Sequence, residues 1–545
     1  MAKKIVIVGG VAGGATAAAR LRRLDETAEI IMFEKDEYIS FANCGLPYHI
    51  GGTIEERGAL IVQSPEAMRR RFHIDVRTNS RVSAVDTKSK SVSVQGPDGE
   101  YAESYDVLVL SPGAEPIVPN IVNTAPDRVF TLRSIRDTDR INNYIAETGA
   151  TSAAVIGGGF VGVEMAENLT ERGVAVRLVE ALDHILAPFD GEMANIAQRE
   201  MRAHGVELLL GDGISAIEGA GEKAKVTLAS GASFETDMVV MAIGVRPATA
   251  FLRDSGVELG PKGHIVADEH MSTNIPDVYA AGDAVQIKDF VTGQPTAVPL
   301  AGPANRQARV AADNIAGIAH TYGGAQGTAV IKVFGLTAAA TGANERTLKR
   351  LNMPYRVLYT HPFSHATYYP GAQQIAMKLL IQPDGRILGC QAVGADGVDK
   401  RVDVVATAIR LHAKATDLCE LELAYAPPYS SAKDPVNMLG YVAENILEGL
   451  TDLTDFDAAE ARDVEHSILL DVRTPREYAN GHVPGAVNIP VDELRDRLSE
   501  LDPEKEIYEY CQVGVRAHTA QRILKQHGFR VKNVSGGWKT FANRE

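Results

Sequence analysis

Short apolar runs, each closed by glycine or by an acid, punctuate the chain from its start. Ile5–Val8 leads into Gly9-Gly10-Val11-Ala12-Gly13-Gly14, and Ala153–Ile156 into Gly157-Gly158-Gly159-Phe160-Val161-Gly162. Each pattern predicts a buried strand, a glycine turn and a helix. A second apolar strand then ends in an acid, Ile30–Phe33 at Glu34 and Val174–Val179 at Glu180. The chain thus holds two βαβ units about 150 residues apart, each carrying a dinucleotide-binding pattern. Val239–Ile243 runs into Gly244-Val245-Arg246-Pro247, and Asp277–Ala281 delivers Gly282-Asp283 to a turn. After about residue 326 the pattern changes to strands at Thr328–Val333 and Gln374–Ile381 and a helix over Asp403–Ala413, which predicts a smaller α+β domain. Residues 448–466, with four Asp and three Glu, read as a solvated linker into a last domain of about 80 residues.

The length of 545 residues accommodates roughly three to five domains. A hydrophobic share of 45% and a charged share of 23% exclude disordered, collagen-like and rod-like chains. The net charge of −15 argues against nucleic acid as a main partner. No apolar stretch reaches the roughly 18 residues of a membrane span, and the N-terminal run breaks into glycines too early for a signal peptide. The four cysteines, Cys44, Cys390, Cys419 and Cys511, are too scattered for a disulfide framework or a zinc site, and a reducing cytoplasm is the expected location. His361 and His365 lie four apart, but Pro362 between them opposes a helical metal pair, so no metal is expected.

Glycines let the backbone approach a pyrophosphate, the helix N-terminus offers N–H donors, and the acid ending the second strand accepts from a ribose hydroxyl. The second turn keeps Gly157, Gly159 and Gly162; the first has Val11 in the middle position, so close approach is shifted or made by Gly10. Glu180, followed by Ala181, would repel a 2′-phosphate, which favours NADH, while nearby Arg177 keeps NADPH open. Cys44 precedes Gly45-Leu46-Pro47, where the proline marks a helix start and the helix terminus should stabilise a thiolate. Cys390 and Cys419 read as packing residues. Arg20, Arg22 and Arg23, with Arg69, Arg70 and Arg71, form either a solvated face or a phosphate-binding one.

With these motifs in place, residues 1 to about 447 resemble the pyridine nucleotide-disulfide oxidoreductase family. Ser40-Phe41-Ala42-Asn43-Cys44 resembles its single-cysteine branch, which holds coenzyme A-disulfide reductases, NADH oxidases and NADH peroxidases. Where two-cysteine members carry a second redox cysteine, this chain has Ile39 or His49, so the resemblance implies a ligand as the sulfur partner of Cys44. It implies an FAD-binding domain over 1–112 and 271–325, an NAD(P)H-binding domain over 148–270, and a dimerisation domain over 326–447 that makes a homodimer. It places FAD at Gly9, Gly10, Ala12, Gly13, Gly14, Glu34, Lys35, Asn43, Ser111, Gly113, Thr273, Gly282, Asp283 and Tyr425. NAD(P)H falls to Gly157, Gly159, Phe160, Val161, Gly162, Glu164, Glu180 and Gly244. Coenzyme A falls to Thr16, Arg20, Arg23, Ser40, Asn43, Arg71, Asn305 and Lys433. Tyr425 and either Tyr368 or Tyr369 would face the partner's cysteine and protonate a leaving thiolate.

The end of the chain carries Asp471-Val472-Arg473-Thr474-Pro475-Arg476-Glu477-Tyr478 and Gly481-His482-Val483-Pro484-Gly485-Ala486. These resemble a rhodanese domain over 459–545, joined by a linker at 448–458. Its loop, Cys511-Gln512-Val513-Gly514-Val515-Arg516, follows the Ile507–Tyr510 strand, and the resemblance makes Cys511 a persulfide carrier with inward N–H groups and Arg516 as a cation. Gln512, where many such loops have arginine, argues against efficient thiosulfate binding. The expected fold is α/β: two Rossmann-like domains, an α+β dimerisation domain and a C-terminal α/β rhodanese domain tethered beyond the flavin site. The expected enzyme uses FAD, NADH and coenzyme A to reduce CoA disulfide, CoA persulfide or polysulfide through Cys44. The alternatives are an NADH oxidase or peroxidase cycling Cys44 through sulfenic acid, and a sulfurtransferase with a vestigial flavin part.

Overall fold

The computed structural model describes residues 2–544, which separate into two compact units. Among these residues the first unit comprises 2–185 and 205–325 and the second 186–204 and 326–544.

Unit one is built on two parallel sheets. In one, the order is Val278–Ala280, Val107–Leu110, Lys4–Val8, Glu29–Phe33, Asp75–Arg77. The strands Lys4–Val8 and Val107–Leu110 are buried over almost their whole length, as an unbroken apolar run requires when helices cover both faces. In the other sheet the order is Val129–Thr131, Met238–Met241, Ser152–Ile156, Ala175–Glu180, Glu207–Leu210. Its edge strand Val129–Thr131 lies outside the 148–270 span expected for this domain, because Val129, Phe130 and Thr131 pair in parallel with Val239, Val240 and Met241. Helix Ala12–Leu24 buries Ala15, Ala17, Ala18 and Leu21 and turns Arg23 to solvent.

Unit two contains a five-stranded antiparallel sheet, in the order Ala329–Val333, Leu336–Gly342, Ile387–Gly394, Ile375–Ile381, Arg356–Thr360. The last domain is a parallel sheet of order Leu453–Thr454, Arg530–Val534, Glu506–Tyr510, Ser467–Asp471, Val487–Asn488. The expected helix over 403–413 begins earlier, at Val398, and ends at Arg410.

The acidic stretch read as a solvated linker is instead structured. Leu453 and Thr454 pair with Asn533 and Val534 as an edge strand, and helix Phe456–Glu460 buries Phe456 and Ala459. Two apolar side chains and one row of ladder bonds outweigh the solubility of the surrounding carboxylates, which point outward. The domain is therefore anchored within its unit: His361 Nε2 and Thr540 Oγ1 lie 2.9 Å apart, and the Tyr359 N–H donates to Ser535 Oγ at 3.3 Å.

Asp190, Glu192 and Glu345 gather their carboxylates as metal ligands would. The centre of that group is the fully buried Lys378 ammonium, at 2.8, 2.5 and 2.5 Å from them. Among the described residues no helix is long and apolar enough to cross a membrane.

Candidate functional site

Both glycine turns are set by steric necessity. Gly9 has φ +99° and a side chain there would sit 2.0 Å from Ser111 O; one at Gly14 would sit 1.8 Å from Gly9 O. The second turn repeats this, with Gly157 at φ +110° and Gly162 at 1.8 Å from Gly157 O. The two acids clamp their turns identically. Glu34 Oε2 accepts from the Gly10 N–H at 2.8 Å, and Glu180 Oε2 from the Gly158 N–H at 2.6 Å. Burial drives the Glu34 carboxyl above the ordinary range, opposed by the Gly10 and Asp36 N–H donors.

Neither helix that follows, Ala12–Leu24 or Phe160–Glu171, has a side-chain cap, and Gly159 borders open space. Uncapped N–H groups beside a bare backbone fit a pyrophosphate. Gly10 is a packing glycine, since a side chain there would meet Ile39 Cγ2 at 2.7 Å, so the close approach expected of it has to shift along the turn. Ser111 Oγ fills the space beside Gly13 and Gly282, and Gly113 and Gly244 take positive φ. Asp283 forms a 2.7 Å ion pair with Arg133, a residue that no spacing pattern singled out.

Cys44 lies in the 3-10 turn Asn43–Gly45, ahead of the five-residue helix Leu46–Ile50. The helix expected to stabilise a thiolate here is five residues long and begins two residues after Cys44. Partial loss of water and then Glu164 push the Cys44 thiol up, while Arg133 pulls it down. Burial raises the Glu164 carboxyl to about 7, and its oxygen accepts from Tyr48 Oη at 3.5 Å. Tyr48, four residues after Cys44, escaped the sequence reading although an i, i+4 spacing on the expected helix was visible.

Of the residues expected at coenzyme A, Thr16 and Asn305 meet, with Thr16 Oγ1 donating to Asn305 Oδ1 at 2.8 Å. Arg20 is paired with buried Asp313 at 2.7 Å, which compensates its charge. Arg22 is structural, donating to the carbonyls of Phe72, Asp25, Glu26 and His73. Arg23, lying over the Phe72 ring at 5.3 Å, and Arg71 remain exposed. Ser40 adopts φ +45° with its carbonyl accepting from Val62 N–H, and Asn43 Nδ2 donates to Arg133 O at 3.3 Å.

Tyr368, Tyr369, Tyr425 and Lys433 belong to unit two. Tyr368 Oη and Tyr425 Oη are 2.7 Å apart, whereas Tyr369 stands edge-on to His365 with ring centroids 5.7 Å apart. Tyr368 is 75% exposed.

At the C-terminal loop, Cys511 Sγ accepts from the Gly514 N–H at 3.1 Å, and Cys511 is fully buried beneath the loop. Arg516 forms a bidentate pair with Glu477, 2.7 Å at both contacts, which lowers the Glu477 carboxyl to about 2. Gln512 Oε1 accepts from buried Arg473 Nη1 at 3.2 Å, and Arg473 also holds Asp471 at 2.7 Å. The loop is therefore braced by side chains that sequence spacing alone did not pair.

The sequence profile described as pyridine nucleotide-disulphide oxidoreductase matches residues 3–308, and the profile of that family's dimerisation domain matches 328–435. A rhodanese-like domain profile matches 455–544. Coenzyme A disulfide reductase of Staphylococcus epidermidis is 37% identical over 445 residues, 81% of this chain and 100% of that protein. The crystal structure of reduced Bacillus anthracis CoADR-RHD superposes with a TM-score of 0.97 at 50% identity, covering 100% of this chain and 98% of that one. An NAD-dependent persulfide reductase from A. fulgidus gives a TM-score of 0.91 at 35% identity, covering 99% of this chain and 100% of that one.

Proposed function

The chain belongs to the pyridine nucleotide-disulphide oxidoreductase family and ends in a rhodanese-like domain, and from that premise we propose that it is an NADH-dependent reductase of CoA disulfide, CoA persulfide and polysulfide whose Cys44 is the redox thiol. One observation carries the role of Cys44: it is the sole cysteine of unit one, Cys390, Cys419 and Cys511 all lying in unit two. Its disulfide partner within that unit has to be a bound thiol, and coenzyme A is the thiol that the related enzymes' names point to.

The reaction balances as NADH, a proton and CoA disulfide giving NAD⁺ and two CoA thiols. FAD, when bound, would supply a two-electron carrier between the nicotinamide and sulfur. The residues divide the remaining work. The Gly9 and Gly157 turns bind the two pyrophosphates, with Lys35 and Thr273 flanking the first site and Phe160 and Val161 opening the second helix. Asp283, held by Arg133, would accept from the polyol chain of FAD. Thr16, Arg23, Asn305, Arg71 and Lys433 bind coenzyme A, and Arg20 orients Asp313 and the helix beside it. The Cys44 thiolate attacks the substrate disulfide, forming a mixed disulfide and expelling one thiolate. In a homodimer the Tyr368–Tyr425 pair of one subunit protonates the thiolate expelled at the other's Cys44. Cys511 carries sulfane sulfur as a persulfide, and cytoplasmic operation suits its free thiols.

Mass spectrometry of the denatured, unreduced protein tests the reading. A coenzyme A adduct on the peptide containing Cys44 is expected. A Cys44 sulfenic acid with no adduct, even after incubation with CoA disulfide, would overturn it in favour of peroxide or oxygen chemistry.

A further inference from the structure

Glu509 stands two residues before Cys511 on the Glu506–Tyr510 strand, so the pleat sends both side chains to one face. That face packs under helix Val515–Gln526, where Ile507, Cys511, Ala517 and Leu524 share one apolar cluster. Glu509 is fully buried and neither of its oxygens has a hydrogen-bond partner. Its register partner on the next strand, Asn533, has an unpartnered Oδ1, and Gln521 on the helix has an unpartnered Oε1. Gln521 has already spent its Nε2 hydrogens on the carbonyls of Asp452 and Val531, at 2.9 and 3.2 Å. Four buried acceptor atoms, on this strand, its neighbour and the helix over them, thus line one seam without a hydrogen-bond donor. A charged carboxylate there would be an uncompensated buried ion, whereas one added hydrogen supplies the missing donor.

We propose that Glu509 is a neutral carboxylic acid that donates to the amide oxygen of Gln521 or Asn533, and that its neutrality leaves Cys511 free to be the one negative charge in this seam, as thiolate or persulfide. Glu509 is a positioning residue, acting through Cys511 without touching substrate. Burial first, and then Cys511, drive its carboxyl well above the ordinary range. The other charged groups of the neighbouring elements are turned elsewhere. Asp471 and Arg473 pair with each other on the Tyr510 face, His518 Nδ1 meets Thr451 Oγ1 at 2.7 Å and Arg522 reaches Leu450 O; the exception is Arg516, which is held by Glu477 and also faces Cys511, as the partner cation of a charged sulfur there. The inference rests on the reading of Cys511 as the sulfur carrier.

The test uses the full-length protein, Glu509→Gln, and polysulfide as the sulfur source. The infrared difference spectrum of wild type against Glu509→Gln should show the C=O stretch of a protonated carboxylic acid, and loading Cys511 should shift that band in wild type but not in Cys511→Ser. Alkylation of Cys511 by iodoacetamide at neutral pH should stay within about twofold in Glu509→Gln, because an already neutral acid has been replaced by a neutral amide. A carboxylate at this place would instead make Cys511 harder to ionise, so its removal would speed alkylation roughly tenfold. That acceleration, or the absence of an acid band, would overturn the proposal. Glu509→Val, an apolar side chain suited to a buried strand, makes the same comparison if the amide disturbs folding. A mass spectrum without added sulfur on Cys511 would instead overturn the carrier reading, and the alkylation comparison would still decide the state of Glu509.

Discussion

Tyr368 and Tyr425 share a hydrogen bond of 2.7 Å between their hydroxyl oxygens. Two phenols so joined can deliver one proton while the second stabilises the phenolate left behind. Tyr369, the neighbour of Tyr368 in sequence, takes no part and packs on His365. Tyr368→Phe and Tyr425→Phe should each lower kcat for CoA disulfide by about 10²-fold, the lower range for a lost general acid. Tyr369→Phe should stay near wild type. Steady-state kinetics of the three variants decide it, and a Tyr369→Phe defect larger than that of Tyr368→Phe would reverse the assignment.

Glu180 accepts the Gly158 N–H at 2.6 Å and the Leu182 N–H at 2.8 Å, so it both shapes the turn and places negative charge where a 2′-phosphate would come. Glu180→Arg should shift kcat/KM toward NADPH by roughly 1–3 kcal/mol, with part of the change appearing as a loss of NADH efficiency because two backbone donors lose their acceptor. The ratio of kcat/KM values for the two nucleotides measures it. An unchanged ratio would show that another residue reads the 2′ position.

Cys44 and Cys511 should be separable. Cys44→Ser should keep FAD and its reduction by NADH while losing turnover with CoA disulfide. Cys511→Ser should do the reverse, keeping CoA disulfide turnover and losing sulfurtransfer from polysulfide. Stopped-flow flavin spectra and a sulfurtransferase assay on both variants check the pair. Near wild-type CoA disulfide turnover in Cys44→Ser would reject its role.

Lys378 is fully buried among Asp190, Glu192 and Glu345. Lys378→Met should cost about 3–5 kcal/mol, the usual result of stripping a buried charge of its partner, measured by denaturant unfolding. The cluster also makes stability depend on pH. Glu345 is desolvated, but Lys378 prevails and lowers its carboxyl from 4.5 to about 2. A carboxyl depressed by folding contributes stability that is present above its unfolded value and lost as the folded form takes up the proton. The contribution should therefore decline as pH falls from about 4.5 towards 2. Unfolding midpoints across that window should fall more steeply in wild type than in Glu345→Gln.

Features governed by local periodicity and backbone sterics were legible in the amino-acid sequence alone. The glycine turns, the acids Glu34 and Glu180 ending the second strands, and the Cys511 loop all appear where spacing put them, because each is decided within one βαβ or strand–loop–helix unit. Pairings between distant segments were settled by packing in three dimensions. Arg133 meets Asp283 across 150 residues of chain, and Arg20 is engaged by Asp313 although the sequence offered it as a phosphate ligand. That Tyr368 rather than Tyr369 meets the Tyr425 hydroxyl depends on where Tyr425 lies in space, which no alternation of side chains announces. The acidic stretch before the last domain shows the same division. Its composition spoke for solvent, but the edge position open beside Arg530–Val534 and the pocket for Phe456 exist only once the sheet has formed. Local rules fix what a segment can be; long-range packing decides which groups lose their water and which partners compensate them.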